Sequence, residues 1–181
     1  GFWQTALDPR DADKTAFITR RGQFRFKVLS FGLVNAPSLF QRIMDLVLAG
    51  LSWECCLVYV DDIIVFAKTM DLHVTRLAQV FQRLQDAGLK LKPDKVKLFQ
   101  HRVAFLGCIV SGKGIEPDPE KVKAVVDWPV PQSVGETRSF IGLCTYYRGF
   151  IKDLNIIAAP LFDLTRKDAM FKWTEQCQKA F

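Results

Sequence analysis

The chain has 181 residues, 49% hydrophobic and 24% charged, enough for one domain with a full core or two small ones, and the balance excludes disorder. No apolar run approaches the length of a membrane span. The first residues lack the charged head, apolar middle and small-residue cleavage site of a signal peptide, so a cytosolic or nuclear protein with no membrane partner is expected. Five cysteines (Cys55, Cys56, Cys108, Cys144 and Cys177) show no C-x-x-C spacing, and His73 and His101 stand far apart, so buried thiols are expected and no zinc site.

The net charge of +6 is unevenly spread: residues 1–115 carry 16 Lys or Arg against 10 Asp or Glu, whereas residues 116–181 carry 9 of each. The first part is therefore the one expected to meet a polyanion. Arg20, Arg21, Arg25 and Lys27 form one basic cluster, and Lys90, Lys92, Lys95, Lys97 and Arg102 a second. In Lys90-Leu91-Lys92 an extended backbone puts both ammonium groups on one face, which suits tracking of phosphates. For any single cluster a solvated face is the commoner explanation.

Taken in chain order, Asn35-Ala36-Pro37 offers an N-cap and a first-turn proline. Phe40, Ile43, Met44, Val47, Leu48 and Leu51 then recur at helical spacing, which predicts a long helix with one buried face. The run from Leu57 to Phe66 sets Asp61 and Asp62 in the middle of an otherwise apolar segment, read as two strands meeting at a tight turn. Two ionised carboxylates about 4 Å apart repel by roughly 4 kcal/mol at an effective dielectric of ~20, a cost that a bound cation converts into binding. A solvated Asp-Asp surface turn is the alternative. Val74, Leu77, Phe81 and Leu84 predict a second amphipathic helix ending at a left-handed cap on Gly88, and residues 96–111 read as strands. From Glu116 the pattern turns helical: Asp118-Pro119-Glu120 starts one helix, Ser133 and Glu136 form a capping box for the next, and a third is expected near Asn155. Trp128-Pro129-Val130-Pro131-Gln132 is a stiff link between the first two. The predicted architecture is an α+β domain followed by a small helical bundle. Thr174 to Phe181 read as an interrupted helix start, the mark of a fragment of something longer.

Several motifs occur in one order along the whole chain: Gly1-Phe2-Trp3-Gln4, Lys14-Thr15-Ala16-Phe17, Phe31-Gly32-Leu33-Val34-Asn35-Ala36-Pro37, Tyr59-Val60-Asp61-Asp62, Phe105-Leu106-Gly107 and Tyr146-Tyr147-Arg148. Together they resemble a reverse transcriptase of the gypsy class of long-terminal-repeat retrotransposons, close to the retroviral enzymes. The resemblance implies a right-hand polymerase. Residues 1–115 would be palm with a partial fingers excursion at about 5–35, residues 116–165 a helical thumb, and residues 166–181 the start of a connection to a downstream domain.

By the same resemblance, Asp61 and Asp62 would be catalytic carboxylates holding two Mg2+ ions, with Mn2+ a substitute, for attack of a primer 3′-hydroxyl on an incoming nucleotide. Gly1, Phe2, Phe31 and Gly32 would shape the deoxynucleoside triphosphate site, with Phe2 excluding a 2′-hydroxyl by bulk. Without the flanking match, Phe2 reads first as a core aromatic. Phe stands at 31, as is usual in the gypsy class, where retroviral enzymes typically carry Gln. Tyr59, Phe105, Leu106, Gly107, Lys90 and Lys92 would contact an RNA or DNA template and its primer, Gly107 permitting close backbone approach; a bulge or simple packing explains the same glycine. By the resemblance, the family's first catalytic aspartate lies about four residues before the equivalent of Gly1, outside these residues, and most of the fingers, including basic residues that hold the triphosphate, would also lie upstream. The fragment is therefore expected to be inactive alone. Ribonuclease H and integrase domains would follow in a polyprotein, in the cytoplasm within a virus-like particle or in the nucleus. The alternative is a decayed or host-adopted copy that binds nucleic acid without catalysis. A right-hand polymerase that copies RNA into RNA, and so must admit the 2′-hydroxyl, is disfavoured by the bulk of Phe2.

Overall fold

A computed structural model describes residues 1–181, which divide into two compact units, Gly1–Leu98 and Phe99–Phe181. The division falls ahead of the third hairpin, whereas the change in charge balance falls at Glu116.

The first unit opens with a single 3-10 turn, Phe2–Gln4, and a short helix α1 (Pro9–Ala12) capped by Asp8, which accepts from the Arg10 amide. The small hairpin β1 (Phe17–Thr19) and β2 (Gly22–Phe24) follows, and Arg20 and Arg21 form its turn. Helix α2 (Ala36–Val47) has the expected proline in its first turn and buries Ala36, Phe40 and Met44, with Leu48 completing the stripe. Asn35 stands at the N-cap but makes no side-chain capping bond, because its near-helical backbone (φ −89°, ψ −2°) differs from the extended form a side-chain cap requires. The second hairpin is β3 (Cys56–Tyr59) and β4 (Asp62–Val65), in the register Cys56 to Val65 and Tyr59 to Asp62.

Helix α3 (Met70–Asp86) starts at Thr69, whose hydroxyl accepts from the Leu72 amide. It ends as the sequence predicts. Gly88 has φ +70°, its amide bonds Gln85 O and the Leu89 amide bonds Leu84 O, the paired carbonyl capping of a Schellman motif. The buried face, however, is centred on Val80 and Leu84, while Val74 and Phe81 are exposed. Of the predicted stripe, Leu84 is buried and Leu77 half-buried, and full burial is confined to the second half of the helix. The core gathers Leu29, Phe40, Met44, Leu48, Cys56, Val80 and Leu84. Truncating a residue such as Phe40 there costs about 3–5 kcal/mol.

In the second unit, residues 99–101 are irregular and the strands run β5 (Arg102–Phe105), β6 (Cys108–Ser111) and β7 (Gly114–Pro117), an antiparallel meander in that order. The expected strand from residue 96 is thus displaced. Residues 93–95 form a 3-10 turn started by Pro93, which leaves 96–98 as a link. Helix α4 (Pro119–Val126) is capped by Asp118, and α5 (Val134–Tyr146) by Ser133, whose hydroxyl accepts from the Glu136 amide. The return bond of the capping box shifts by one residue, from Gln132 N to Glu136 Oε2 at 2.8 Å. Short helices α6 (Leu154–Ile157), α7 (Ala159–Asp163) and α8 (Glu175–Ala180) complete the unit. Phe140, Ile141, Cys144, Leu161, Leu164 and Cys177 form its core. The last residues are not a loose helix start: Thr174 caps α8, Cys177 is buried, and the Phe181 ring lies 4.6 Å from that of Phe140.

Candidate active site

Alternation along β3 and β4 decides where the acids lie. Val58, Ile63 and Val65 pack on the core with Cys56 buried among them, so Tyr59 and Asp62, odd in phase, fall on the opposite, exposed side, and Asp61 occupies the loop tip. The loop has two residues. Its first, Val60, has φ +50°, a conformation costing a β-branched residue about 1–3 kcal/mol and kept only where neighbours enforce it.

The enforcing neighbour is Gln41 on α2. Its Oε1 accepts from the Val60 amide at 2.6 Å, while its Nε2 donates to Asp45 Oδ1 at 2.9 Å and to Val58 O at 3.4 Å. One amide group thus holds the turn by an amide and a carbonyl on its β3 side and fixes it to a helix whose other face is core. Sequence reasoning missed Gln41. The available signal was its place beside Phe40 at the edge of the apolar stripe, together with a valine amide in a tight turn that needs an acceptor.

The Asp61 side chain is 51% exposed, and its Oδ2 accepts from the terminal ammonium of Gly1 at 2.9 Å. A Cβ on Gly1 would stand 2.1 Å from Asp61 Oδ1 and 2.4 Å from Phe40 Cζ, closer than atoms can approach, so only glycine fits between them. Phe2 comes next, half-buried, with its ring 5.2 Å from Phe31 and 5.6 Å from Phe40. Phe31 is exposed and meets Trp3 on its other flank at 5.8 Å. Gly32 follows in a turn at φ +89°; a side chain there has space, so the glycine is required by its backbone alone. The structure therefore brings Gly1, Phe2, Phe31 and Asp61 into one neighbourhood, with Gly32 and Asp62 adjoining it in sequence.

Lys90 and Lys92 are exposed. The Lys90 backbone is tied to the segment after Phe2, its amide donating to Gln4 Oε1 at 2.7 Å and its carbonyl accepting from Gln4 Nε2 at 3.1 Å. Lys92 lies 3.9 Å from Asp94. Of the other basic residues, Arg25 pairs with Asp13, and in the second unit Arg102 pairs with Glu116 at 2.6 Å. Phe105, Leu106 and Gly107 lie in that second unit, at the β5–β6 turn.

No three His, Cys, Asp or Glu side chains converge on a common point. Asp61 and Asp62 offer hard carboxylate oxygens at an exposed tip, the donor type that Mg2+ takes while keeping water and phosphate oxygens in its remaining positions. The nearby thiol is of another kind. Burial pushes Cys56 up to about 11, so it stays protonated and packs as an apolar group.

Comparison with known proteins gives the class. The family model for reverse transcriptase (RNA-dependent DNA polymerase) matches residues 1–110, and the chain belongs to that family, whose members generally use divalent metal ions. It is 39% identical over 181 residues to the retrovirus-related Pol polyprotein from transposon 412 of Drosophila melanogaster, covering 100% of the chain and 15% of that relative. To the corresponding polyprotein from transposon gypsy it is 43% identical over 166 residues, 92% of the chain and 16% of the relative. The chain thus spans about one-sixth of the length of these relatives. Among solved structures it is similar to a foamy viral protease-reverse transcriptase in complex with double-stranded DNA, at 28% identity and a TM-score of 0.89 over 99% of the chain and 32% of that protein. The same viral enzyme with an RNA/DNA hybrid gives 0.84, over 99% of the chain and 24% of that protein.

Proposed function

We propose that this chain is the central segment of an RNA-directed DNA polymerase, extending a primer on an RNA or DNA template with deoxynucleoside triphosphates. One observation carries the reading: Asp61 stands at the tip of a turn clamped by Gln41, with Gly1 packed so closely that a Cβ there would collide with Asp61 and Phe40. Asp61 and Asp62 would hold the divalent ions, with substrate phosphate oxygens and water as further ligands. Mg2+ held there would supply positive charge to the attacking and leaving oxygens. The protein's own part is placement. Gln41 keeps the acids from swinging, Gly1 lets the backbone approach the triphosphate, and the Phe2 ring, braced by Phe31 and Phe40, stands under the sugar and rejects a 2′-hydroxyl by overlap.

Tyr59, Lys90, Lys92 and the Phe105–Gly107 turn contact the template-primer, largely through the sugar-phosphate backbone and so without sequence preference. In this reading residues 1–115 are palm with part of the fingers, 116–165 thumb, and 166–181 lead toward ribonuclease H and integrase, in a virus-like particle or the nucleus. The test is Asp61→Asn in the complete polymerase. Loss of primer extension with duplex affinity kept supports the assignment. An active variant removes Asp61 from the metal site, and a wild-type protein that binds duplex but never extends a primer favours a non-catalytic copy.

A further inference from the structure

The β5–β6 turn carries an arrangement that the proposed function does not use. Leu106 and Gly107 form a two-residue loop with φ +48° and +70°, the pattern of a type I′ turn, for which leucine is poorly suited. Two consecutive residues at the end of α5 reach back forty positions to it. Tyr146 Oη donates to Leu106 O at 2.6 Å, and Tyr147 Oη donates to Gly107 O at 3.4 Å. Their rings meet edge to face at 4.9 Å, and a Cβ on Gly107 would lie 3.4 Å from both phenol oxygens. The Asp118 amide also donates to Gly107 O, at 3.4 Å.

Tyr147 is buried, but the Tyr146 side chain is largely exposed, so core packing does not account for its short bond. Burial raises the Tyr147 phenol above its usual value, which keeps that hydroxyl a donor through neutral pH. Because a trans peptide is planar, holding Leu106 O toward Tyr146 points the Gly107 N–H to the opposite side.

We propose that Tyr146 and Tyr147 are positioning residues that hold the Leu106–Gly107 turn by its two carbonyls, so that the Gly107 N–H is presented to a sugar or phosphate oxygen of the primer strand. This rests on the reading of the turn as a template-primer contact. The contact is neutral and directional, unlike that of the lysines.

The test uses the complete polymerase with Tyr146→Phe, Tyr147→Phe and Gly107→Ala, singly and as the Tyr146→Phe/Gly107→Ala pair. Tyr146→Phe keeps the ring and removes one hydrogen bond, so primer-template affinity should fall roughly three- to tenfold. The KM for the nucleotide, the melting temperature and the salt dependence of binding should stay as in wild type, a pattern that general loosening of the unit would not give. In the double-mutant cycle the two changes should be strongly non-additive. Should Tyr147→Phe fail to fold, Tyr146→Phe decides alone. If Gly107→Ala weakens primer-template binding and Tyr146→Phe does not, the positioning role is overturned while the turn's contact stands. If Gly107→Ala also leaves binding unchanged, the turn is not a primer contact and both readings fall.

Discussion

Val60 in the first unit and Leu106 in the second occupy the same place in their hairpins, the first residue of a two-residue loop, at φ +50° and +48°. Both are side chains that dislike that conformation, and both are held by residues on a helix of their own unit. The clamps have opposite polarity. At Val60 a glutamine oxygen takes the loop amide, while at Leu106 and Gly107 two phenols cap the loop carbonyls. On the proposed reading, the turn that presents carboxylates has its N–H group tied back, and the turn that presents an N–H has its carbonyls tied back.

This contrast is broken most severely at Asp61. In the complete polymerase, Asp61→Asn should lower single-turnover incorporation by about a thousandfold, some 4 kcal/mol of lost charge stabilisation, with duplex affinity within about twofold of wild type. Phe2→Val should raise the kcat/KM of ribonucleotides relative to deoxyribonucleotides by roughly ten- to a hundredfold, and an unchanged ratio in a folded variant returns Phe2 to the core. Gln41→Leu leaves the Val60 amide without its acceptor and should destabilise the fold by about 1–3 kcal/mol. It should slow incorporation at saturating primer-template, whereas Tyr146→Phe should act through primer-template affinity. That split sharpens the comparison, and equal effects of both variants on both quantities would dissolve it.

A milder change follows from the exposed lysines. Replacing Lys90, Lys92, Lys95 and Lys97 with Gln should flatten the slope of log affinity against log salt by up to about 4, and an unaltered slope makes them a solvated face. The smallest effect is one of pH. With the Cys56 thiol raised by burial from 9.0 to about 11, the unfolded chain loses this proton first, so stability is full below about pH 9 and declines as pH rises toward 11. Urea midpoints measured across that range should show a shallower decline for Cys56→Ala than for wild type.

What the sequence made legible was local. The stripe of α2, the Gly88 cap, the caps at Asp118 and Ser133 and the acid-bearing hairpin each depend on residues a few positions apart, and each is where the pattern puts it. The face of α3 was misjudged because periodicity tells that a helix has a buried side but not how far along it the cover extends. Both clamps were illegible for a related reason. Gln41 meets Val60 across 19 positions and Tyr146 meets Leu106 across 40, and no periodicity or spacing rule links such pairs. The acids announce themselves by chemistry; what orients them is set by packing.

The central claim is that Asp61 and Asp62 hold the divalent ion of a polymerase site, and the most direct measurement locates that ion. Fe2+ replacing Mg2+ in the polymerase with primer-template and nucleotide bound, with ascorbate and peroxide, cuts the main chain beside the metal. The account predicts cuts concentrated at residues 60–63 and 1–2 that disappear in Asp61→Asn. Cuts centred elsewhere, or unchanged in that variant, would contradict it.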